Sequence, residues 1–106
     1  MYIIINNEKI NIDKADSFFK RLKGLMFVHN YKNCLLISKC NSIHTFFMKF
    51  NINIVFLDKN YKVLKLINDL SPFKIIFPVK DAYYTLETKK EILPYIKEDD
   101  ILNIKD

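Results

Sequence analysis

The chain has 106 residues, half of them hydrophobic, 14% aromatic and 27% charged, which supplies one core without disulfide or metal staples and excludes intrinsic disorder. The net charge of +5 suggests an anionic partner. However, Arg21 is the only arginine among 17 basic residues and no basic run exceeds Lys89–Lys90, so bidentate reading of bases or phosphates has little to work with.

The opening MYIIINNEKI lacks the basic region and long apolar run of a secretory leader, and no stretch approaches the roughly 18 apolar residues of a membrane span. The expected location is therefore the cytoplasm, with Cys34 and Cys40 as reduced thiols. Neither repeats nor linkers interrupt the chain, and one domain over residues 1–106 is expected.

In chain order, Tyr2–Ile5 and Lys9–Ile12 read as a hairpin turning at Asn6–Asn7, because asparagine tolerates left-handed backbone. A short helix is expected near residues 16–23, capped by Asp13 or Asp16, with Phe18, Leu22 and Leu25 recurring at helical spacing. Gly24, the only glycine, stops it, which implies a positive φ at the helix end.

From Cys34 the pattern turns to strands. Cys34–Ser38, Phe46–Phe50, Ile52–Leu57, Tyr61–Ile67, Ala82–Thr88 and Ile101–Ile104 are rich in aliphatic and aromatic residues. Asp58–Lys59–Asn60 reads as a turn with Asn60 left-handed, FKIIF between Pro72 and Pro78 as an edge strand, and Lys89–Tyr95 as one helical turn broken by Pro94. The expected class is mainly β, a small sandwich or barrel with one short helix.

Three segments carry a resemblance: RLKGLMF at Arg21–Phe27, IHTFFMKFNINIVFLD at Ile43–Asp58, and YTLE at Tyr84–Glu87. Together they resemble the family catalogued as domain of unknown function 192, whose hallmark is R-x-x-G-L-M, then an aromatic-Met-Lys motif, then a hydrophobic strand ending in aspartate. Arg21, Gly24, Leu25 and Met26 fit the first part, Phe47, Met48 and Lys49 the second, and Asp58 the third. Phe47 stands where the family commonly has tryptophan, and Asn53 where it commonly has aspartate. The resemblance implies a jelly-roll-like fold and no reaction. Some members are exported or associated with pilus or secretion systems.

Three groups of residues are candidates for function. Arg21 suggests a place that needs a planar donor. It either makes a structural ion pair with Glu87 or Asp58, or forms with Lys49 an anion pocket, and the structural reading leads because buried charges are normally paired. Cys40 and His44, in CNSIH, could form a thiolate–imidazole nucleophile, but no orienting third residue or oxyanion site accompanies them and the spacing matches no zinc module. Phe46 and Met48 alternate with Phe47 and Lys49, which would place the latter pair on an exposed binding face.

The leading reading is a binding or accessory domain with its site at Arg21, His44, Phe47, Lys49 and Glu87, taking a small ligand or a protein partner. The enzyme alternative is a hydrolase or transferase using Cys40 and His44, and the weakest reading is lysine-mediated nucleic-acid binding. No cofactor or metal motif appears.

Overall fold

The computed structural model describes the backbone of residues 1–106 and all side chains except those of Phe18, Phe19 and Leu22. The expected stripe of Phe18 and Leu22 lies outside the described residues. Eight strands form: β1 (Tyr2–Ile5), β2 (Glu8–Ala15), β3 (Cys34–Ser38), β4 (Ile43–His44), β5 (Ile52–Leu57), β6 (Val63–Leu70), β7 (Ile75–Ile76) and β8 (Tyr84–Thr88). One helix, α1 (Phe18–Lys23), and a 3₁₀ turn at Leu93–Tyr95 complete the set. The class is mainly β, as expected, with the larger sheet curled into a half-barrel.

Six strands pair in the order β1-β2-β3-β8-β5-β6, and β4 and β7 make a separate two-stranded ribbon. The β1–β2 hairpin turns through Asn6 (φ +50°) and Asn7 (φ +65°), a two-residue loop with both centres left-handed. That geometry matches the twist of paired strands. Strands β2 and β3 run parallel, so the chain must cross over between them, and α1 lies in that crossover.

The central strands β3, β5 and β8 are buried on both faces, which explains why β3 and β5 read as continuous apolar runs without alternation. Cys34, Leu36, Val55, Leu57 and Leu86 pack on one face with Ile92 and Leu102. Leu35, Ile37, Ile54 and Phe56 pack on the other, under Leu25, Ile43 and Met48. Leu25 just beyond α1, Ile43 of β4 and Ile76 of β7 contribute to the cover of the second face.

Several expectations are corrected. Ser17, not Asp13 or Asp16, caps α1, its hydroxyl accepting the Lys20 N–H at 3.2 Å. Asp13 lies within β2 and accepts from the Tyr31 hydroxyl at 2.6 Å. Tyr61 (φ +65°), not Asn60, is left-handed. The Tyr61 N–H donates to the Asp58 carbonyl and the Asp58 carboxylate accepts from Asn60 and Lys62, so a tight turn at residues 58–61 passes the left-handed step to the next residue. Ile101–Ile104 is no strand. It contributes a lone bridge from Ile101 to Lys62.

Phe46–Phe50 is also a loop, not a strand. Thr45, fully buried, is its anchor: its hydroxyl donates to the Ser71 carbonyl and accepts the Lys74 N–H, both at 2.8 Å. The backbone N–H of Met48 returns to the Thr45 carbonyl. Once these groups close a turn, the aromatic residues that resemble a strand cannot join a ladder.

Candidate functional site

Register places the central residue of the site. On β8, Glu87 lies between Leu35 of β3 and Ile54 of β5, in the middle of the sheet on its second face. It is 3% exposed, and its Oε2 has no hydrogen-bond partner among the described residues. A carboxyl in apolar surroundings cannot afford ionisation, so burial pushes its pKa up to about 8. At neutral pH it is therefore chiefly the protonated acid, able to donate as well as accept.

Glu87 opens onto a recess of about 180 Å³, lined also by Arg21, Gly24, Cys40, His44 and Met48. The helix stop makes this opening possible. Gly24 has φ +51° and ψ −125°, and a Cβ there would stand 3.5 Å from Glu87 Oε2. The glycine thus serves both the turn and the approach to the acid.

Arg21 and Glu87 share the recess but form no ion pair; among the described residues the salt bridges are Lys62–Asp99 and Lys90–Glu8. One Arg21 nitrogen, Nη1, donates to the Asp16 carbonyl at 2.6 Å, fastening the guanidinium across the start of its own helix. Asp58 is engaged in its hairpin, so the expected Arg21–Asp58 pair does not form either. His44 Nδ1 accepts the Phe46 N–H at 3.2 Å, which leaves Nε2–H as the ring's free donor.

Cys40 and His44 both line the recess, yet the Cys40 thiol donates to the Ser42 carbonyl at 3.1 Å. Burial raises the Cys40 pKa above its ordinary value, the opposite of what activates a nucleophile. The other thiol, Cys34, is pushed by burial up to about 11. Of the nominated binding residues, Arg21, His44 and Glu87 come together, whereas Phe47 and Lys49 are exposed and outside the recess. Sequence reasoning missed Lys23, Met26 and Ser42 as lining residues. Nothing in their types singles them out.

These features define a class: a small curled β-sheet domain with a protonatable carboxyl at the floor of a cation-rimmed recess. The family model described as Uncharacterized ACR, domain of unknown function 192, matches residues 1–104, and the chain belongs to that family. It is 35% identical over 88 residues to a UPF0127 protein of Thermococcus sibiricus, covering 77% of this chain and 56% of that one. A UPF0127 protein of Pyrococcus horikoshii is 38% identical over 88 residues, covering 78% and 76% respectively. This chain thus spans little more than half of the first relative's length. A crystal structure of a protein of unknown function from Novosphingobium aromaticivorans superposes with a TM-score of 0.79 at 13% identity, covering 97% of this chain and 82% of the other. That likeness is one of fold.

Asn53, where the family commonly has aspartate, has a structural use in this chain. Its amide donates to the Lys90 carbonyl and accepts from the Asp69 N–H, both at 2.8 Å. An ionised aspartate has no donor for the first bond. Among the described residues no helix is long and apolar enough to cross a membrane.

Proposed function

We propose that the recess binds a small anion with an apolar body, of the short-chain carboxylate kind, and that the domain is a binding module. The observation that carries this reading is the unpartnered oxygen of buried Glu87. An unsatisfied buried polar atom costs about 1–3 kcal/mol, which a ligand can recover. The anion follows from the company it keeps. Arg21, Lys23 and His44 offer positive or donor groups, Glu87 is the one acidic residue lining the recess among the described residues, and Leu25, Ile37 and Met48 supply apolar wall. A protonated Glu87 would donate to the ligand's oxygen while Arg21 supplies its countercharge.

The test is a ¹H–¹⁵N titration with isobutyrate, followed at the Gly24 and His44 amides. Saturable shifts at pH 6 are expected, with affinity falling at least about tenfold by pH 9, where Glu87 has lost its proton and repels the ligand. In Glu87→Gln binding should persist without that pH dependence. Absence of shifts at pH 6, or equal affinity for isobutyramide, would sink the proposal.

The thiol-enzyme alternative makes a separate prediction. Iodoacetamide should alkylate Cys40 slower than a free thiol at pH 7, because its pKa is raised by burial. Alkylation faster than free cysteine at that pH would instead favour catalysis by Cys40 and His44.

A further inference from the structure

Beside the recess lies a row of aromatic rings that the binding of a small anion does not use. His44 stacks on Phe46 with centroids 5.4 Å apart, Phe46 meets Phe73 at 6.3 Å, Phe73 meets Phe47 at 6.3 Å, and Phe47 stacks on Phe27 at 5.3 Å. Phe27, Phe47, Phe73, Ile75 and Phe77 are five of the eight large exposed hydrophobic residues among those described, Phe73 at 64% and Phe77 at 79%. Ile75 lies opposite His44 in the β4–β7 ribbon, which places its side chain on the same face of the ribbon. Apolar groups gathered in this way mark an interaction surface.

The backbone holds these rings outward at a cost. Phe27, Phe47 and Phe73 have φ of +63°, +63° and +64°, a region that bulky residues rarely enter. The Phe27 N–H donates to the Phe47 carbonyl and the Phe73 N–H to the Thr45 carbonyl, both at 3.0 Å. Rings fixed in this way lose little freedom on binding.

Charge narrows the occupant. The segments that carry these rings, residues 26–29, 43–50 and 71–80, hold three lysines, Lys49, Lys74 and Lys80, and no acidic residue. Lys49 and Lys74 are exposed and adjoin the row in sequence. A second copy of the chain would set like charge against like. Nucleic acid is disfavoured because the one arginine, Arg21, lies in the recess and not in the row.

We infer that the surface of Phe27, Phe47 and Phe73, flanked by Lys49 and Lys74, docks an acidic polypeptide segment bearing apolar side chains. The apolar side chains cover the rings and the carboxylates meet the lysines. This goes beyond the recess and does not depend on what the recess binds.

The test is fluorescence anisotropy with a short labelled peptide alternating glutamate and leucine. Binding is expected to weaken at least about tenfold in Phe73→Ser and, separately, in Lys49→Glu/Lys74→Glu, with melting temperatures unchanged. Saturating isobutyrate should leave it intact, so failure of the recess reading would not be mistaken for failure of this one. The inference is overturned by no binding, by equal binding of a lysine–leucine or glutamate–serine peptide, by displacement with isobutyrate, or by preference for phosphatidylglycerol vesicles or an oligothymidylate.

Discussion

Raising the pH from about 5 to 8 should destabilise this protein, and Glu87→Gln should remove most of that slope. The unfolded glutamate loses its proton near 4.5, whereas the buried one keeps it to about 8. Between those values the folded form holds a proton that the unfolded form has released. Each pH unit therefore costs on the order of 1 kcal/mol of stability, and the loss levels off above the folded pKa. The whole window is worth several kcal/mol, a large part of the roughly 5–15 kcal/mol that holds a domain together. Urea midpoints at pH 5, 6, 7 and 8 for both proteins measure it directly. A wild-type protein equally stable across the range would mean that Glu87 ionises in place, and the protonated acid invoked for ligand binding would go with it.

The strands buried on both faces were the most legible part of the fold. Cys34–Ser38 and Ile52–Leu57 stand where their apolar runs place them, because a strand covered on both sides needs no polar positions. The asparagine hairpin was equally readable, since few residues accept two left-handed steps in succession. The loop at residues 46–50 was not. Its aromatic density has the composition of a strand, and the side chain that forbids pairing, Thr45, acts through partners at Ser71 and Lys74 that no local pattern reveals. That misreading also assigned Phe47 and Lys49 to the same site as Arg21. Both lie instead beside it, Phe47 in the aromatic row. Arg21 and Glu87 were singled out, one as a lone arginine and the other as its possible partner on a strand, and both line the recess. That they share a recess without pairing depends on the register of β3, β8 and β5 and on the Asp16 carbonyl that holds the guanidinium.

Gly24→Ala should cost about 1–3 kcal/mol and also close the recess over Glu87. The first effect is conformational. At φ +51° and ψ −125° a Cβ meets its own backbone, and no rearrangement of neighbours relieves that. The second effect is local: the new methyl would sit 3.5 Å from Oε2 and 3.8 Å from Oε1 of Glu87, in the lining of the recess. Contact at that distance is ordinary packing, so the methyl adds shielding to the acid without colliding with it. The two effects separate experimentally. Denaturant unfolding reads the backbone strain, and isobutyrate titration of the folded fraction reads the obstruction. A Gly24→Ala protein that melts lower yet binds isobutyrate with wild-type affinity would show that the glycine serves the turn alone and that ligands reach Glu87 from another side. Loss of both together would tie the stop of the helix to the opening of the site. The same residue would then explain why this chain, which makes its other turns without glycine, keeps one here.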